Sequence, residues 1–298
     1  MSTLTAARPT AAAPARPRRA GRTRKRVGKV LLNIAALVVF VCSVFPVYWM
    51  LNTSFLPNSA ITAETPHLWP DEFTVGNYVK AFQNGGFLPA LGVSLSVTLI
   101  TVAVALMFAF FASIAVSRYK FRSRTTFIVA ILAIQMIPAE ALIISMFRVL
   151  DGWHLLNTII GLSFVYIALV LPFTIWTLRG FVSGVPAELE EAAMIDGCSR
   201  TGAFWRITFP LLAPGLIATG VFAFIQAWNE FVFALVIMTR PEAQTLPIWL
   251  RSFVQATKAT DWSTVMAAST LMAIPVIVFF LIVQHRMTSG LVSGAVKG

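Results

Sequence analysis

The sequence predicts an all-α polytopic membrane protein with six membrane-spanning helices, and three observations carry that prediction. Apolar residues make up 57% of the chain and charged residues only 12%, which is not the make-up of a water-soluble domain. Runs of about twenty apolar residues recur, the length of helix that crosses a hydrocarbon core of about 30 Å. The basic residues also fall between those runs in an alternating pattern, as topology places them, and do not gather into one face.

Residues 1–29 are rich in Ala, Pro and Arg without periodicity, and read as a disordered basic tail. A membrane domain is expected over 30–285 and a short tail over 286–298. The first helix is expected over Val30–Leu51. It is too long for a signal-peptide core, carries Pro46 as a kink, and ends in Tyr48-Trp49, an interfacial aromatic pair. Residues 52–87 form the longest polar loop, in which 77–82 has the pattern of a short interfacial helix. A second helix follows over Leu88–Val116, then a basic turn with Arg118, Lys120, Arg122 and Arg124. The third is expected over Thr126–Arg148 and the fourth over Leu156–Leu178. The fifth is expected over Ile207–Met238, and the sixth, interrupted at Pro275, over Val265–Val283. The stretch Gly290–Gly298 is expected to lie beyond the sixth helix.

Charge counting orients these spans. With alternate segments assigned to alternate sides, one side holds 18 Lys and Arg. The other holds five, Lys80, Arg148, Arg240, Arg251 and Lys258. Cytoplasmic segments carry the positive excess, so both termini and the loop between the fourth and fifth helices are expected inside. A net charge of +11 therefore reflects membrane topology and gives no reason to expect nucleic acid as a partner.

The loop Pro186–Pro214 is the acidic-rich interruption late in the chain. Pro186 suits a first helical position, and Glu188, Glu190 and Glu191 fall in the first turns, where the helix dipole favours negative charge. Gly197, after Asp196, suits a left-handed helix end. Ser199 or Thr201 can cap a second helix carrying Phe204 and Trp205. Among so many basic residues, the three glutamates read as a docking face, and Ala192 and Ala193 are small enough for a partner's surface to come close.

Two carboxylates are expected at membrane depth, where charge is costly and faces a cavity or a partner. Glu140 lies about thirteen residues into the expected third helix, about 20 Å from its inner end. Glu230 belongs to a stripe on the fifth helix, Phe222, Gln226, Asn229, Glu230 and Phe233, spaced at three and four residues on one face. Aromatic and hydrogen-bonding groups mixed in this way suit sugars, which offer flat apolar ring faces and hydroxyls. The same polar groups could equally tie helices together.

No nucleotide-binding G-x-x-x-x-G-K-S/T, H-E-x-x-H or G-x-S-x-G sequence occurs. His67, His154 and His285 are scattered singly, and Cys42 and Cys198 read as free thiols, so no catalytic residue, metal site or cofactor is expected.

The residues E-A-A-M-I-D-G, followed by F-W-R-I-T-F-P-L-L-A-P, resemble the cytoplasmic EAA loop of permease subunits of binding-protein-dependent ABC importers. The W-N-E-F segment at Trp228–Phe231, the N-Y pair at Asn77-Tyr78 and the closing G-L-V-S-G-A-V-K-G are similar to the carbohydrate-type, maltose-transporter-like branch. The resemblance implies a type I importer permease fold in a bacterial cytoplasmic membrane, with 186–206 as coupling loop. It also implies a second homologous permease, two cytoplasmic ABC ATPase subunits, an external solute-binding protein and a sugar, polyol or glycerol phosphate as cargo. In that family the loop is a coupling helix seated on the ATPase. Glu188, Glu191 and Asp196 would then make contacts across the joint, Ala192 and Ala193 would pack closely, and Gly197 would set the bend. The closing tail would lie against the ATPase. Cys198 departs from the family, which usually has alanine there. A secondary transporter would need an ion site and an internal repeat, neither of which is visible. A membrane glycosyltransferase using Glu140 and Glu230 as acid and base would need a lipid-phosphate or metal motif, also not visible.

Overall fold

The computed structural model describes the backbone of residues 20–61, 67–254 and 260–295, with side chains from 29 to 284 within those ranges. The part of the expected basic tail before Ala20, the residues 296–298 and the side chain of His285 lie outside it. Among the described residues five helices are long and apolar enough to cross a membrane, and a helix pair bent by 90° has the same apolar composition. No strand occurs among the described residues.

Two units divide at Trp49. In the first, α1 (Ala20–Ser54) begins well before the expected start at Val30 and passes through Pro46 without ending. Its side chains over 29–47 are exposed, as a helix solvated by lipid requires. Phe45 and Trp49 stack one turn apart, with ring centroids 5.9 Å from each other.

The second unit starts with the end of α1 and folds back at once. After α2 (Asn58–Ile61), the short helix expected at 77–82 is present as α3 (Gly76–Gln83). Buried Asn77 explains why it sits where it does. Its side-chain amide donates to the Ser54 and Leu56 carbonyls at 2.9 and 2.8 Å, satisfying backbone acceptors that the end of α1 leaves open. Tyr78 adds a hydroxyl contact to Ser54 Oγ at 2.7 Å.

Helix α4 (Phe87–Arg118) is the central post, packed against α7 (Ile159–Gly184) and α10 (Phe209–Asn229). The face it buries carries a row of small residues at three- and four-residue spacing, Ala90, Ser94, Thr98, Thr101, Ala105, Ala109 and Ser113, beside Phe87, Val97, Phe110 and Val116. In lipid there is little hydrophobic drive between helices, so close backbone approach through small side chains holds them together. Gly215 serves the same purpose between α10 and α7, because a Cβ there would overlap the Phe181 ring.

The third and fifth spans depart from expectation. The third is not continuous: α5 (Arg124–Gln135) stops, a 3-10 turn covers Ala139–Leu142, and α6 (Ile143–Gly152) leaves at 90°. Pro138, with φ −58° and ψ 119°, removes a backbone donor and disfavours helical geometry at Ile137 before it. Glu140 thus lies in the turn after the break and not within a helix. Between α7 and the fifth span lie α8 (Glu188–Ile195) and α9 (Arg200–Ala203). The fifth span starts earlier than Ile207, running from Arg200 through a π turn at Phe204–Thr208 into α10. It ends at Asn229, not Met238; the chain breaks at Glu230 and resumes as α11 (Val232–Ile237). Helix α12 (Leu246–Arg251) then tucks inward, with the buried Leu246 amide donating to Ser94 Oγ at 2.8 Å. The last helix, α13 (Trp262–Ala295), is longer than Val265–Val283 and includes the backbone of residues 290–295, expected beyond it.

Asp261 fastens the start of α13. It pairs with Lys80 of α3 at 3.0 Å and accepts from the Thr264 amide and hydroxyl at 3.2 and 3.0 Å. Partial burial pushes this carboxyl up, but the Lys80 ammonium and the two Thr264 donors outweigh it and hold it below its ordinary value. A lowered value means the contribution is fully present above the ordinary carboxylate range and is lost as pH falls through the lowered one. Amide exchange in the first turn of α13 should therefore accelerate relative to mid-helix amides below about pH 4. In Lys80→Met the loss should come at higher pH. Separately, Gly215→Val should destabilise the subunit by about 1–3 kcal/mol through overpacking, read as a lower unfolding midpoint in detergent.

Candidate functional site

The sequence singled out two places, and the structure gives each a geometry. The polar loop is built locally. Its three glutamates occupy the first turn of α8, which starts at Glu188 after Ala187 and not at Pro186. The helix ends in a Schellman motif: the Cys198 amide donates to the Ala193 carbonyl at 3.0 Å, and the Gly197 amide to Met194 at 3.1 Å. Gly197 has φ +92°, a conformation that glycine enters without a Cβ penalty. Ser199, not Thr201, caps the next helix, its Oγ accepting from the Gly202 amide at 3.1 Å.

The glutamates do not act alike. Glu190 turns inward: its Oε1 lies 3.4 Å from Arg118 Nη2, at the end of α4, and accepts from the Thr208 hydroxyl at 2.6 Å. It is therefore a tether between α8 and two membrane helices, and it leaves the expected docking face. Glu188, Glu191, Ala192, Asp196 and Gly197 stay exposed. Ala193 is buried at 8% exposure within the chain itself, so its small size serves the loop's own packing. Ile195 is 87% exposed beside Met194 and Leu189. That apolar element of the outward face was not singled out from sequence, although an isoleucine just before Asp-Gly on a polar loop is a usable signal.

The second place is a cavity of about 300 Å³ among the membrane helices. It brings together Glu140, Phe222, Gln226, Glu230 and Phe233, five of the six residues expected along a pathway. Asn229 is not among them. Its side chain donates to the Ile225 carbonyl at 2.9 Å on its own helix. Tyr166 and Phe173 of α7 complete the wall, and Phe173 stacks on Phe222 with centroids 4.1 Å apart. Neither was singled out from sequence, because α7 is apolar over most of its length.

Glu230 combines two roles that the stripe alone could not reveal. Its Oε1 accepts from the Phe233 amide at 2.8 Å and its Oε2 from the Ala234 amide at 3.1 Å, so the carboxylate caps α11. Its carbonyl, released by the break, accepts from the Tyr166 hydroxyl at 3.2 Å. Glu140 has no such bond among the described residues and presents a carboxylate to the same cavity. The wall can therefore stack on a ring face and exchange hydrogen bonds, but it offers no nucleophile–base pair. Among the described residues no cluster of metal-ligating side chains occurs, and Cys42 and Cys198 are free thiols. Glu230→Ala should cost about 0.5–2 kcal/mol as a lost helix cap. Faster hydrogen exchange at the Phe233 and Ala234 amides would report it, with Glu140→Ala leaving those amides unchanged.

Comparison with known proteins agrees with this architecture. Residues 105–291 match the family model of the binding-protein-dependent transport system inner membrane component. The chain is 44% identical to the diacetylchitobiose uptake system permease protein DasC of Streptomyces coelicolor, over 92% of this chain and 99% of that one. It is 34% identical to the trehalose/maltose transport system permease protein MalG of Thermococcus litoralis, over 91% and 97%. A bacterial ABC transporter involved in import of the acidic polysaccharide alginate shares the fold. Its TM-score is 0.72 at 23% identity, covering 91% of this chain and 99% of that one. These matches give one conclusion: the chain belongs to the binding-protein-dependent inner-membrane components, as a non-catalytic permease subunit of an ABC importer.

Proposed function

We propose that this permease carries a saccharide into the cytoplasm through the cavity between α7 and α10, driven by an ATPase docked on α8. One observation carries the reading. Glu140, Gln226 and Glu230 share a cavity with the stacked Phe173–Phe222 pair, which supplies hydroxyl acceptors beside flat apolar surface. Relatives named for diacetylchitobiose and for trehalose or maltose support a sugar as cargo. The charge pattern supports a cytoplasmic side for both termini and α8, where an ATPase can reach the loop. Glu188, Glu191 and Asp196 surround the exposed Ile195 and form the joint with that ATPase, and Ala192 lets it approach. Gly197 holds the bend that presents the helix. A second homologous permease forms the other half of the pathway, two ATPase subunits serve the pair, and a solute-binding protein delivers the sugar from outside. Movement of α8 reaches the pathway through the Glu190 tether to Arg118 and Thr208, which lie at the inner ends of α4 and the fifth span.

Glu191→Lys reverses charge at the joint, and Gly197→Pro demands a φ near −65° where the chain has +92°. Each should lower uptake of labelled disaccharide by about tenfold or more, equivalent to roughly 1.4 kcal/mol of coupling, with the subunit still inserted. Unchanged uptake and unchanged ATPase retention in both variants would sink the coupling role. For the pathway, single cysteines over 222–233 can be tested on a background lacking Cys42 and Cys198. Positions 222, 226, 230 and 233 should react with an impermeant thiol reagent and Asn229→Cys should not share their protection by sugar. A flat accessibility profile would remove this cavity from the path.

A further inference from the structure

A second cavity, of about 310 Å³, lies where α4 ends against the polar loop, and of its walls only Arg118 and Glu190 enter the transport cycle described above. Its walls change character along their length. Phe111 and Ile114 of α4 and Trp205 of the π turn form an apolar flank, while Arg118, Tyr119 and Arg200 close the other end. Phe111 and Trp205 are 62% and 52% exposed, so the apolar flank opens outward from the helix bundle. Arg118 is only partly served. Glu190 lies 3.4 Å from its Nη2, yet Nη2 and Nε are both buried without a hydrogen-bond acceptor. Buried donors in native proteins are nearly always paired, so an acceptor is wanted at this spot. The Arg200 guanidinium sits 5.6 Å from the centre of the Tyr119 ring, adding a second cation against the single Glu190 carboxylate.

We infer that this cavity holds an anionic phospholipid of the inner leaflet, its phosphate at Arg118 and Arg200 and an acyl chain along Phe111, Ile114 and Trp205. The apolar flank decides between a lipid and a soluble anion, since a free phosphate gains nothing from three apolar side chains opening to hydrocarbon. The surplus cation decides between headgroups, because a zwitterionic lipid brings its own ammonium to a positive site. Basic pockets between helices on the cytoplasmic side recognise anionic headgroups on these terms. The consequence reaches the coupling loop. Glu190 lines the same cavity, so a phosphate on Arg118 shares the guanidinium that tethers α8, and lipid occupancy sets how firmly that helix is held. The assignment rests on the cytoplasmic placement of the loop. It is read below by lipid retention and not by uptake, so the two can fail separately.

The test uses the complete importer in nanodiscs of phosphatidylcholine mixed with phosphatidylglycerol, followed by detergent extraction and mass spectrometry of the lipid that stays bound. Wild type should retain phosphatidylglycerol preferentially. Arg200→Gln should lower that preference about fivefold, the effect expected of one arginine at an anionic surface, and Arg200→Lys should keep most of it. Ile114→Trp, which fills the apolar flank and leaves both arginines, should release lipid of either kind. Each variant is checked for assembly with its ATPase, and Arg200→Lys keeps the comparison valid if Arg200→Gln fails to assemble. The inference is overturned by equal retention of both lipids, by an unchanged preference in Arg200→Gln, by no loss in Ile114→Trp, or by displacement of the bound lipid by inorganic phosphate alone. Absence of any retained lipid in the wild-type complex would mean that another subunit covers the cavity, and would overturn it too.

Discussion

A helix that stops inside hydrocarbon must find partners for the backbone groups it releases, and both breaks in this chain answer to that constraint. At Glu230 the answer is a carboxylate that receives the first free amides of α11, and a tyrosine that reaches the freed carbonyl. At Pro138 the missing donor belongs to proline itself, and a 3-10 turn carries the chain around the corner. Both breaks deliver polar groups to the same cavity. The cavity lies where the helices fail, because there a carboxylate at depth finds backbone donors and open space.

The polar loop obeys a different economy, that of water. Its helix is ended, bent and restarted by Gly197 and Ser199 through bonds made within the loop, so its shape does not depend on a partner. Glu190 is one link to the membrane part, between Arg118 and Thr208, and Arg200 over the Tyr119 ring is another. The buried Ala193 adds close packing within the loop.

The contrast between loop and membrane also explains what could be read in advance. Helix ends encoded by Gly197 and Ser199 were legible because the responsible residues act within a few positions of themselves. The third span was misread because proline inside an apolar run is ambiguous. Pro172, Pro214 and Pro275 all sit within unbroken helices, whereas Pro138 ends one. Tolerance depends on which neighbours can meet the freed carbonyl, and that is tertiary information. The stripe on the fifth span was found, but not its terminus at Glu230, since a capping carboxylate and a pathway carboxylate look alike in sequence. Tyr166 and Phe173 stayed hidden inside α7 for the same reason that Asn229 misled. Periodicity tells which residues share a face, but not what that face meets.

Ile195 gives the fold a further property. A large aliphatic side chain held almost fully in water at the tip of a rigid helix is stable company only when covered. Until a surface covers it, the side chain keeps its apolar area in water, and a contact that buries it gains about 25 cal/mol per Å².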